Sequence, residues 1–172
     1  MSHPTSSGDR QSTDGPGRPR RVKVGVGDLA VVSDDATLTT SGLGSCVAIA
    51  VGDPTAGVRG LLHAMLPSAE NTASSSVPAK YVDTGVDALL AEVEAAGASP
   101  RRLEARLAGG AEMLDLTAAV GPRNVEQAEQ SLAAATVSIV ASDVGDGVGR
   151  TVRFRSGGDL VVRAADGFER TI

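Results

Sequence analysis

The sequence predicts an α+β domain, and three observations carry that expectation. Short apolar runs bounded by glycine and proline recur along the chain and read as strands. Two segments instead place apolar residues at helical spacing. The composition, 41% apolar with 2% aromatic residues and no tryptophan, leaves the core to Val, Leu, Ile and Ala. At 172 residues, one domain of ordinary size is expected.

Residues 1–21 are mostly Ser, Gly, Pro, Asp and Arg, with no apolar residue after Met1. Such a segment cannot bury enough surface to offset its ordering entropy, so a disordered tail is expected, with one domain over residues 22–172. Residues 22–26 and 29–32 read as short strands broken at Gly27-Asp28, and residues 37–40 as a further extended piece. Residues 46–51 are apolar and flanked by glycine, which fits a buried strand. Residues 52–57 form a turn, and residues 58–66 a second strand closed by Pro67, followed by a polar loop over 68–78. Val82, Val86, Leu89, Leu90 and Val93 share one face of a helix that Gly97 stops. Leu103, Ala105 and Leu107 alternate with Arg102, Glu104 and Arg106, the pattern of a half-exposed strand. A second helix is expected to begin at Asn124, where Gln127 completes a capping-box-like pair and Val125, Ala128 and Leu132 form the buried stripe. Residues 137–141, 151–155 and 160–163 read as further strands.

Composition also excludes function classes. A net charge of −5 gives no bulk attraction to nucleic acid. No apolar run approaches the roughly 20 residues of a membrane helix, and the N-terminus lacks the basic-then-apolar order of a secretion signal, so a cytoplasmic protein without membrane insertion is expected. One cysteine, Cys46, cannot form an internal disulfide or redox pair. With only His3 and His63 beside it, it cannot build a Cys/His zinc site, and no cofactor is expected. Gly42-Leu43-Gly44 lacks the third glycine of a dinucleotide loop, since Val47 stands there. Residues 143–147 lack the ligand spacing of a calcium loop.

Cys46 stands apart from these failed motifs. It follows Thr40-Ser41-Gly42-Leu43-Gly44-Ser45, a glycine-rich turn feeding directly into a strand. Gly44 and Ser45 in such a turn leave amide N–H groups uncovered, as an oxyanion hole requires. If residues 46–51 and 58–66 pair symmetrically about their turn, opposed residue numbers sum to 109. Val51 then faces Val58, and Cys46 faces His63. A thiol beside an imidazole is the minimum equipment of a thiol hydrolase, whereas the plainer reading is a small buried hydrophobe beside a packed histidine. A preformed thiolate would show itself by rapid alkylation near neutral pH.

At these residues the sequence resembles the CheD family of chemoreceptor glutamine deamidases. The resemblance runs through Leu38-Thr39-Thr40-Ser41-Gly42-Leu43-Gly44-Ser45-Cys46-Val47, Asp53-Pro54, Gly60-Leu61-Leu62-His63 and Met65-Leu66-Pro67. It continues through Lys80-Tyr81-Val82-Asp83, Gly109-Gly110-Ala111 with Met113, Gly121-Pro122-Arg123-Asn124, Asp143-Val144-Gly145, Gly149-Arg150 and Val152-Arg153-Phe154. Departures fall at Ala108, Thr151 and Val82, away from the Cys–His pair. The resemblance implies Cys46 as nucleophile, His63 as general base and Thr40 as the group that orients the imidazole. It implies hydrolysis of glutamine side-chain amides on the cytoplasmic domain of chemotaxis receptors through a thioester, with receptor methyl esters as further substrates. It also implies a β-sandwich-like core flanked by helices, related to toxin deamidases, and a CheC-type phosphatase as partner. A non-catalytic module regulating such a phosphatase is the alternative.

Overall fold

The computed structural model describes residues 20–69, 77–112 and 119–172. Within them the chain runs β1 (Arg21–Lys23), β2 (Asp28–Val32), β3 (Thr37–Leu43), β4 (Val47–Asp53), β5 (Val58–Ala64), α1 (Val82–Ala95), β6 (Glu104–Gly109), α2 (Val120–Ala134), β7 (Ser138–Val144), β8 (Arg150–Phe154), β9 (Leu160–Ala164) and β10 (Glu169–Thr171). Two five-stranded sheets result, one ordered β1-β3-β8-β9-β10 and the other β2-β5-β4-β6-β7. The α+β expectation holds.

The layering follows from alternation along the second sheet. Every residue of β4 and β5 is buried, because both faces of this sheet are covered. Val47, Ile49 and Val51 of β4, with Leu62 and Ala64 of β5, pack against Val82, Val86, Leu89 and Val93 of α1 and Ala128 and Leu132 of α2. Ala48, Ala50 and Leu61 point the other way, against Leu38, Val152, Phe154, Leu160 and Val162 of the first sheet. The order is therefore sheet, sheet, helices. Each Val, Leu or Ile buried in these layers contributes about 1.5–3 kcal/mol, which is how a chain nearly free of aromatics builds its core.

Several expectations need correction. The β4–β5 ladder pairs Val47 with Ala64, Ala48 with His63 and Asp53 with Val58, so opposed numbers sum to 111 rather than 109. Strand β4 runs on through Asp53, whose carboxylate accepts the N–H groups of Thr55 and Ala56 and so closes a turn of four residues where six were expected. Cys46 lies just outside β4, and His63 faces Ala48. Helix α2 begins at Val120, one turn before Asn124, with no side-chain cap. Pro122 is tolerated there because first-turn N–H groups have no intrahelical partner. Arg21, expected in the tail, opens β1 and pairs with Thr37. The rest of the expected tail, up to residue 19, lies outside the described residues, as do residues 70–76 of the polar loop and Met113. The exposed strand β10 has no apolar pattern to announce it.

Candidate active site

Three elements deliver the sequence-predicted residues to the gap between the sheets. Thr40 lies on β3 and shares its face with Leu38, which points at the opposite sheet. His63 lies on β5 on the same face as Leu61. Cys46 stands two residues before Ala48, the residue opposite His63, and its side chain packs on the same inter-sheet cluster. A two-residue register change leaves every side chain on its original face. Cys46 and His63 therefore remain same-face neighbours, but diagonal ones, roughly 7 Å apart at Cβ for such a pair.

The hydrogen bonds fix the state of the imidazole. The Thr40 hydroxyl donates its one proton to the Val24 carbonyl at 2.7 Å. Its oxygen can then only accept from His63 Nδ1, also at 2.7 Å. Nδ1 therefore carries the ring proton, and Nε2 presents a lone pair. That nitrogen is buried and has no hydrogen-bond partner among the described residues. Burial lowers the His63 pKa, and burial raises that of the Cys46 thiol more than its own backbone N–H draws it down. The resting pair is neutral thiol and neutral imidazole. Slow alkylation at neutral pH thus follows from this geometry and does not by itself argue against catalysis.

The turn before Cys46 is held by its carbonyls. Gly44 O accepts from Ala111 N–H at 2.9 Å, and Cys46 O accepts from Gly110 N–H at 2.8 Å. Between them, Ser45 O accepts from Asn124 Nδ2 at 2.8 Å. Among the described residues, no carbonyl or other side chain takes the N–H of Ser45 or Cys46, whereas the N–H of Gly44, expected to be uncovered, donates to Gly42 O at 3.1 Å. The close approach explains Gly109: a Cβ there would stand 2.4 Å from Cys46 O, and its φ of 102° is left-handed. Gly121 is required in the same way, since a Cβ would meet Ala111 O at 2.2 Å. Behind them the buried Arg150 guanidinium donates to Asp143 and to the carbonyl of Gly145.

The structure thus brings Thr40, His63, Gly44, Ser45 and Cys46 to one end of the β4–β5 hairpin. Sequence reasoning missed Asn124, which it read as a helix cap, and assigned no task to Gly109, Gly110 or Arg150. Their only signal was membership of the motifs that carry the resemblance.

The chain is similar to known proteins over most of its length. A family model described as CheD chemotactic sensory transduction matches residues 65–164. The protein named probable chemoreceptor glutamine deamidase CheD from Haloarcula marismortui is 39% identical over 164 residues, covering 92% of this chain and 94% of its own length. Proteins of the same name from Thermococcus kodakarensis and Desulfitobacterium hafniense are 46% and 41% identical, over 76% and 88% of this chain and 84% and 98% of their own lengths. The family match and these similarities show that the chain belongs to the CheD family.

Proposed function

We propose that this protein deamidates glutamine side chains of chemotaxis receptors, with Cys46 as nucleophile, His63 as general base, Thr40 as orienting group and the Gly44–Cys46 turn as oxyanion hole. The observation that carries the reading is His63 Nε2: a buried, basic nitrogen without a partner, its tautomer set by Thr40, on the face it shares with the chain's one thiol. The names of the relatives support the substrate.

The chemistry follows from these groups. The Cys46 thiol gives its proton to His63 Nε2 as Sγ bonds to the carboxamide carbon, and the carbonyl π electrons move to oxygen. That oxyanion is met by the N–H groups of Ser45 and Cys46. The imidazolium then protonates the nitrogen, the C–N bond breaks, and ammonia leaves a thioester. Water attacks the thioester after losing a proton to Nε2, the C–S bond breaks, and the proton returns to sulfur. Glutamate is the product. A methyl ester on the same side-chain position enters the same thioester, losing methanol in place of ammonia. The receptor domain that carries these side chains is cytoplasmic, and the resemblance supports a CheC-type phosphatase as a regulatory partner.

Incubation with a receptor cytoplasmic domain, followed by peptide mass spectrometry, tests the reading. The protein converts specific glutamines to glutamates, and Cys46→Ala converts none above background. Conversion by Cys46→Ala at the unmutated rate would refute it.

A further inference from the structure

We infer that Asn124 is a positioning residue of this reaction, whose carboxamide fixes the Ser45–Cys46 peptide so that the N–H of Cys46 is aimed as an oxyanion donor. The inference rests on the proposed reading of Cys46.

Asn124 is fully buried in the second turn of α2. Its Nδ2 has two protons, and both are used: one on Ser45 O at 2.8 Å and one on Met65 O at 3.0 Å. Its Oδ1 is buried with no partner. A buried acceptor left unsatisfied is costly and asks for a reason. The donor end supplies one. Ser45 immediately precedes the nucleophile, and Met65 lies two residues beyond His63, so a single rigid group joins the ends of the two strands that carry the reacting pair.

The Ser45 carbonyl matters because of peptide geometry. The described residues contain no cis peptide bond, and in a planar trans peptide the C=O and the following N–H point in opposite directions. Holding Ser45 O toward α2 therefore holds Cys46 N–H away from it. The neighbouring carbonyls, Gly44 O and Cys46 O, are held by backbone N–H groups of Ala111 and Gly110, but the middle one is held by Asn124 alone. A neutral carboxamide supplies both donors without burying a charge. Leucine has no donor, and an aspartyl side chain offers at most one for two carbonyls.

The test compares the unmutated protein with Asn124→Ala, Asn124→Asp and Cys46→Ala. Asp keeps the volume of Asn and removes the paired donors. Three quantities are read: kcat and KM for receptor deamidation, the rate of Cys46 alkylation by iodoacetamide, and the thermal melt. Alkylation builds no oxyanion, so it separates aiming of the N–H from access to the thiol. Both Asn124 variants are expected to lose about 10²–10³-fold in kcat. KM and the alkylation rate should stay within about threefold. Unmutated kcat in both Asn124 variants, or alkylation falling in step with kcat, would overturn the inference. So would loss of a cooperative melt in both, which would make Asn124 a residue of the fold. Should Cys46→Ala remain active, the reading of the site fails instead, whatever the Asn124 variants do.

Discussion

The two ends of the β4–β5 hairpin use buried polar groups in opposite ways. At the turn end, Arg59 projects from β5 into the gap between the sheets, and its guanidinium donates to the carbonyls of Phe154, Asp34 and Ala36 while lying over the Phe154 ring. Beside it, the Asp53 carboxylate accepts from Thr55, Ala56, Ser99 and Arg102, and the Arg102 contact above all holds its pKa well below the carboxylate range. At the open end, four residues along the same face of the same strand, His63 has one nitrogen bonded and the other idle. Asn124, which clamps that end, has an idle oxygen. The satisfied end stabilises the fold. In the proposed reaction, the unsatisfied end keeps a base ready for the proton that Cys46 gives up.

This contrast can be broken by exchanging which property each end loses. His63→Gln keeps a polar side chain of similar size but no basic nitrogen, so kcat/KM for deamidation should fall about 10³-fold while the melting temperature changes little. Arg59→Met leaves three carbonyls without their donors and should cost about 2–4 kcal/mol in denaturant unfolding, with unchanged kcat/KM in the folded protein. Equal activity losses in the two variants would erase the distinction.

A smaller effect is expected at Thr40, where the hydroxyl sets the imidazole rather than reacting. Thr40→Val removes the acceptor for Nδ1 and should lower kcat about 10–10²-fold, with Thr40→Ser restoring most of it. No rescue by serine would mean that the methyl packing, not the hydroxyl, matters at this position.

The smallest effects are in pH dependence. Because burial depresses the His63 pKa, the acid limb of kcat/KM should fall below the ordinary histidine value of about 6.5. The raised thiol pKa should keep the profile flat well into the alkaline range. Stability has a matching sign. Between the folded-state pKa and about pH 6.5, the unfolded chain binds more protons at His63 than the folded one, so the melting temperature drops as pH falls through that window. His63→Gln should flatten this part of the curve.

Much of this arrangement is legible in the sequence, for identifiable reasons. Glycine and proline bound β4 and β5, and helical spacing from Val82 to Val93 marks α1. The faces of Cys46 and His63 were right even though their register was not, because a side-chain period of two hides an even slip. The slip came from Asp53, whose carboxylate caps the turn and lets β4 extend by two residues while β5 still begins at Val58. Asn124 was misread for a related reason. A short carboxamide beside a helix start is read as bonding its own backbone, and here it bonds carbonyls from β4 and β5 that are distant in sequence. Those tertiary contacts of Asn124 leave no periodic or local trace.

The central claim is that the open end of the hairpin is a thiol–imidazole amidohydrolase site, and the receptor deamidation reaction quenched in acid during turnover tests it most directly. An acyl adduct should map to the Cys46 peptide, accumulate alongside glutamine-to-glutamate conversion and vanish in Cys46→Ala. Undiminished conversion in Cys46→Ala, with no adduct on that peptide, would contradict the account.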